Sequence, residues 1–209
     1  LCPLVKSTFG FAYSQKCPFT HFSDIIIAET TCDGKKKMYE LLNDLKETYV
    51  LHLPQGRDRS YEREAWYEEC RLLKERLENL YGITITDDDL RGAAARRNRL
   101  RAAKLAMYGL QACEPPVMSG VELMSTMFAG TFNFDVDAYI EKLETVTAAR
   151  RAAYEAGERP IPADAKRILL TGCPVGGVIN KIGRTIEVNG GVVVCMDDCS
   201  GERTARMMV

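Results

Sequence analysis

Apolar positions change period along this chain, and the changes mark its elements. Residues 1–23 show no clear period. They carry Pro3, Gly10 and Pro18 among the aromatics Phe9, Phe11, Tyr13, Phe19 and Phe22, which predicts an ordered loop rich in packing groups. Asp24-Ile25-Ile26-Ile27-Ala28 is near-continuously apolar and β-branched, as buried parallel strands are. Asp33 is placed to cap a following helix, with Gly34 easing the turn. Met38, Leu41, Leu42 and Leu45 then recur at i, i+3, i+4 and i+7, the spacing of one helix face. Tyr49–Leu53 returns to a strand pattern and stops at Pro54, which completes a βαβ unit.

The middle of the chain has a helical period. Tyr61–Tyr81 places Trp66, Cys70, Leu73, Leu77 and Leu80 on one face, and Gly82 ends it. A helix opened by Asp87 or Asp88 runs to Leu110. Ser119-Gly120-Val121-Glu122 is a capping box before a short apolar helix. Asp135 opens a longer helix with the stripe Val136, Tyr139, Ile140, Leu143 and Val146. Residues 157–162, with Gly157, Pro160 and Pro162, form a linker. Beyond it Arg167–Thr171 reads as a strand, Gly172–Gly177 as a tight loop, Ile179–Val188 as a helix and Gly191–Met196 as a strand. The organisation expected is α/β: a partial first module over 1–57, a helical region over 58–158, and the start of a second, truncated α/β module over 159–209.

Charge and composition remove some function classes. The net charge of −1 gives no global basic field for nucleic acid or an anionic membrane. No apolar run approaches the ~20 residues that span a bilayer, and no signal pattern is present. A cytoplasmic location is expected. The start, Leu1-Cys2-Pro3-Leu4, lacks an initiator Met, and the end, Arg206–Val209, lacks a stop signal. The chain therefore reads as an internal fragment of a longer protein. The run Arg96, Arg97, Arg99, Arg101 and Lys104 reads as a salt-bridged helix face near Asp87–Asp89.

The eight cysteines carry the candidate chemistry. With no secretory signal, disulfides are the weaker use, and metal ligation, redox chemistry and burial remain. Cys32, Cys173 and Cys199 lie just after predicted strands, at the ends where α/β folds bind ligands. Cys2 and Cys17 lie in the irregular lead-in. Cys2, Cys17 and Cys173 each precede a proline, as some ferredoxin ligands do. Cys70 and Cys195 are read as buried thiols. Zinc is disfavoured, because the only close pair is Cys195 and Cys199. Spacing alone leaves a cluster and scattered buried thiols both open. The Gly172–Gly177 loop fails the G-x-G-x-x-G pattern, and Gly34-Lys35-Lys36 fails the P-loop pattern. Lys35, Lys36 and Lys37 either attract a polyphosphate or form a solvated first turn, which is favoured for at least two of them.

Several segments together resemble the 2-hydroxyacyl-CoA dehydratase D-component family. They are Leu1–Ser7, Lys16-Cys17-Pro18-Phe19, Glu29–Glu40, Leu53-Pro54-Gln55, Ser119-Gly120, Thr171–Gly177 and Asp198-Cys199-Ser200-Gly201. The Cys17-Pro18 and Cys199-Ser200-Gly201 pieces are most similar to the family's double-cubane cluster branch. The resemblance implies flavodoxin-like parallel-sheet domains with a helical insertion. It implies an iron–sulfur cluster, either 4Fe-4S or double-cubane 8Fe-9S. The ligands it suggests are Cys2, Cys32 and Cys199 first, then Cys17 and Cys173, and it names no catalytic side chain.

The function implied is reduction at low potential, driven by an ATP-hydrolysing iron–sulfur activator. The alternatives are a dehydratase subunit that forms an enoyl-CoA through a ketyl radical, and a non-catalytic electron carrier. Implied partners are that activator, a second copy of the chain or a dissimilar dehydratase subunit, and an acyl-CoA or other small molecule. An oxygen-free cell interior is implied too. The fragment alone is expected to be inactive.

Overall fold

A computed structural model describes residues 2–56, 58–172, 178–198 and 201–207. They form two compact units, residues 1–85 and 86–209. The α/β class holds in each, since each contains a small parallel sheet crossed by a helix. Among the described residues no helix is long and apolar enough to cross a membrane.

The first unit opens with two helices, α1 (Pro3–Tyr13) and α2 (Pro18–Phe22). This corrects the loop expected over 1–23. Both prolines stand at the first helical position, where the fixed φ suits a helix and the missing N–H is not needed. The apolar stripe of α1 is Val5, Phe9 and Ala12, spaced i, i+4 and i+7. The exposed Leu4, Phe11 and Tyr13 conceal that period in the sequence. Strand β1 (Ile26–Glu29) pairs in parallel with β2 (Thr48–Leu51), Ile26 opposite Thr48 and Glu29 opposite Leu51. Helix α3 (Asp33–Asn43) makes the crossover and buries Met38, Tyr39 and Leu42. Together with Val5, Ala12 and Ala28 these form the core of the unit.

Helix α4 (Ser60–Tyr81) follows, and Gly82 ends it in the left-handed conformation at φ 62°. Leu73, Leu77 and Leu80 are half-buried on α4, but Trp66 and Cys70 are exposed. The buried reading of Cys70 is therefore corrected. The rest of the α4 surface is tied by ion pairs one turn apart, Arg71 with Glu68 and Glu75, and Lys74 with Glu78.

The second unit begins with α5 (Asp87–Tyr108). Thr86 caps it and exchanges bonds with Asp89. Helix α6 (Gly120–Ala129) is capped by the Ser119 hydroxyl, which accepts from the Glu122 amide at 3.1 Å. Helix α7 (Val136–Glu155) is capped by Asp135, which accepts from Ala138 at 3.0 Å. The stripe expected on α7 is present: Tyr139, Ile140 and Leu143 are buried, with Val136 and Val146 beside them. They close on Met107, Leu110, Met118, Leu123 and Met127. Burying each such side chain contributes roughly 1.5–3 kcal/mol.

Strand β3 (Lys166–Thr171) pairs in parallel with β4 (Gly191–Asp197), with an irregularity between Ile168 and Leu169. Helix α8 (Ile179–Val188) crosses between them, and the short α9 (Glu202–Ala205) follows β4. Gly120 lets α6 lie against β4: a Cβ there would stand 2.6 Å from Val193 Cβ and 2.7 Å from its carbonyl oxygen. The buried Gln111 amide donates to that same Val193 carbonyl at 3.0 Å.

Candidate functional site

In the first unit the candidate site lies at the carboxyl ends of β1 and β2, where parallel sheets open toward ligands. Thr30 ties the two ends together. Its amide donates to the Leu51 carbonyl at 3.1 Å, and its hydroxyl accepts from the Leu53 amide at 2.8 Å. The Thr31 hydroxyl donates to Glu29 at 2.9 Å. The chain then turns into α3 at Cys32, which is the cap residue, with Asp33 as the first helical residue. The cap expected at Asp33 is corrected by one position. Cys32 is exposed.

Cys2 and Cys17 hold the same position on their own helices. Cys2 precedes Pro3 at the start of α1, and Cys17 precedes Pro18 at the start of α2. The Val5 and Leu4 amides hold the exposed Cys2 thiol below the usual cysteine range. The Thr20 hydroxyl and amide do the same for Cys17, with the amide 3.5 Å from Sγ. Free N–H groups and the helix dipole favour a thiolate at such a position. Three cysteines singled out from sequence thus share the residue position that precedes a helix, though their backbone angles differ. Cys173 and Cys199 lie outside the described residues. Cys195, in β4, is partly buried, and burial followed by the Glu202 carboxylate pushes its thiol up.

The donor chemistry of Cys2, Cys17 and Cys32 suits iron–sulfur ligation thiol by thiol. Among the described residues, however, no three His, Cys, Asp or Glu side chains converge as a metal site.

The three lysines of α3 are already compensated. Lys35 lies 4.0 Å from Glu29, Lys36 3.1 Å from Asp33 and Lys37 2.6 Å from Glu40. The solvated first turn is the reading these contacts favour.

Two clefts flank the end of β2. One of about 730 Å³ runs along His52, Gln55, Arg59, Glu62 and Glu69. The other, of about 570 Å³, includes Thr30, Lys36, Tyr39 and Gln55. Glu62 is buried and accepts from the Arg59 amide at 2.8 Å. The His52 amide donates to Glu69 at 3.1 Å. Thr30, Lys36 and Tyr39 fall in the Glu29–Glu40 segment and Gln55 in Leu53-Pro54-Gln55, whereas His52, Arg59, Glu62 and Glu69 carry no mark in the sequence reading. The available signal for Glu62 was a carboxylate three residues into α4, the position that closes a capping box. Cys17 also lines an apolar recess of about 500 Å³ with Leu4, Val5, Ile26, Met38 and Leu42.

The family model for the 2-hydroxyglutaryl-CoA dehydratase D-component matches residues 1–209, the whole chain. The chain belongs to that family. It is also 42% identical over 209 residues to the Escherichia coli (strain K12) protein named "Putative dehydratase subunit YjiM". That alignment covers 100% of this chain and 54% of the relative. The chain thus spans about half the length of the curated relative it matches.

Proposed function

We propose that this chain is part of a 2-hydroxyacyl-CoA dehydratase component that carries an iron–sulfur cluster. The observation that supports the reading most directly is the D-component match across all 209 residues. The exposed or half-exposed thiols of Cys2, Cys17 and Cys32 at helix starts are in keeping with it. Each β–helix–β crossover is the piece expected of a flavodoxin-like domain.

In this reading Cys2, Cys32 and Cys199 are ligands first, with Cys17 and Cys173 behind them. A 4Fe–4S cluster with one open iron supplies a Lewis acid for substrate oxygen. The chain's own contribution is to present thiols at helix starts and to tie the Cys32 turn through Thr30 and Glu29. A dissimilar subunit and an ATP-hydrolysing activator complete the system. A second reading is the double-cubane reductase, acting as a homodimer. It rests on the Cys17-Pro18 and Cys199-Ser200-Gly201 pieces, which resemble the double-cubane branch.

The test is iron and acid-labile sulfide on the full-length protein, purified without oxygen. About four irons per chain is the dehydratase outcome, and about eight is the double-cubane outcome. Cys32→Ser should lower the iron content and bleach the visible absorption, whereas Cys70→Ala should change neither. An iron-free protein after reconstitution would end both readings.

A further inference from the structure

The basic run on α5 divides into two groups. Arg96 and Arg99 face Asp137 on α7, at 3.4 and 4.0 Å. Arg97, Arg101 and Lys104 follow i, i+4 and i+7 on another side of the helix. With Leu100, Thr204 and Ala205 they line a cavity of about 170 Å³. Among the described residues no carboxylate lines it. In the chain segment that supplies Thr204 and Ala205, Glu202 pairs with Arg206 and Asp197 with Arg203. Arg101 donates to the Asn98 side chain at 3.1 Å, a neutral partner. Burial, and then the neighbouring Arg97 charge, hold the Lys104 ammonium below the usual lysine range. Leu100 and Ala205 are buried, so part of the wall is apolar and field lines are poorly screened.

Three cations gathered around one recess repel each other, and an anion in that recess would relieve the repulsion. The cavity has the volume of roughly six waters at about 30 Å³ each, room for a single tetrahedral oxyanion. Two guanidinium forks with one ammonium match phosphate oxygens in geometry and charge. We propose that this cavity is a phosphate-binding pocket, taking inorganic phosphate or the monoester end of a larger ligand. The pocket does not depend on the dehydratase reading.

The experiment is calorimetric titration of the full-length protein with sodium phosphate at low ionic strength. Wild type should bind one phosphate per chain. The double variant R97Q/R101Q should bind at least about tenfold more weakly, since charge-assisted hydrogen bonds are lost. The control R96Q/R99Q should match wild type within about twofold, because its charges face Asp137. Lys104→Met, which removes a half-buried like charge, should fold and also bind more weakly. Phosphate should raise the Tm of wild type and not that of R97Q/R101Q.

The pocket is refuted if wild type shows no saturable uptake at millimolar phosphate. It is equally refuted if R97Q/R101Q binds like wild type, or if the control loses as much as the double variant. Competition separates the two sources. Displacement by coenzyme A but not by its 3′-dephospho form marks a monoester end, and displacement by neither marks the free anion. Iron content and visible absorption should be unchanged in every variant, so the outcome is distinguishable from failure of the cluster reading.

Discussion

Cys17 and Cys195 are both partly buried thiols, yet the fold moves them in opposite directions. Thr20 offers Cys17 a hydroxyl and an amide, which favour the thiolate. Cys195 lies in a strand near Glu202 and Asp197, and burial with those carboxylates favours the thiol. The thiolate is the nucleophile, so alkylation rises with pH and levels off above the pKa. In metal-free protein the Cys17 profile should inflect below the ~8.5 of a free cysteine, and the Cys195 profile above it. Thr20→Val removes the hydroxyl and should move the Cys17 inflection upward. An unmoved inflection would show that Thr20 is not the cause. The linked stability has the sign of a depressed acid: it is present above the unfolded pKa and lost as pH falls through the folded one.

At this scale Cys32 was legible, because an apolar strand run breaks into a helix period beside it. Cys70 was misread. A thiol on an apolar stripe looks buried in sequence, and whether anything covers that stripe is a tertiary fact.

Helix α6 shows how one residue governs an element. Gly120 is its first residue, and the space its Cβ would fill holds Val193 side chain and backbone. Gly120→Ala should cost about 1–3 kcal/mol through overpacking, measured by denaturant unfolding. Gly92→Ala on α5 is the comparison, since no atom lies within 4 Å of a Cβ there. It should be neutral or gain up to about 1 kcal/mol from helix propensity. Equal effects would refute the close approach. Element boundaries were readable where caps and periods agree, as at Ser119, Asp135 and Gly82. They were lost over 1–23, where aromatics on the exposed side of α1 hide a three-residue stripe. Proline suits a loop and a helix start alike, so Pro3 and Pro18 do not decide between them.

Across the whole molecule, burial is uneven. Met107, Leu110, Leu123, Met124, Ile140, Leu143, Val192 and Val193 in the second unit are fully buried. In the first unit, Leu4, Phe11, Tyr13, Phe19 and Phe22 are exposed on the two opening helices. Local stability follows buried apolar contact. Hydrogen exchange should therefore find amides of α7 and β4 in the slowest class and those of α1 and α2 in a faster one. Equal protection would contradict the burial pattern. The α/β class was legible because two strand–helix–strand patterns recur. The division after Ile85 was not, because it depends on which helices pack together, and α4 and α5 have the same period and length.

The placement of Cys2 and Cys17 has a consequence over evolutionary time. The amides of Val5 and Leu4 hold the Cys2 thiol below its usual range, and the Thr20 amide adds to its hydroxyl in doing the same for Cys17. A peptide N–H is the same in every residue but proline, so most point mutations nearby leave it intact. Leu4, Phe19 and their neighbours can then be exchanged while the thiols keep their character. The acidity of these two sulfurs is written largely into the backbone, where side-chain drift leaves it in place.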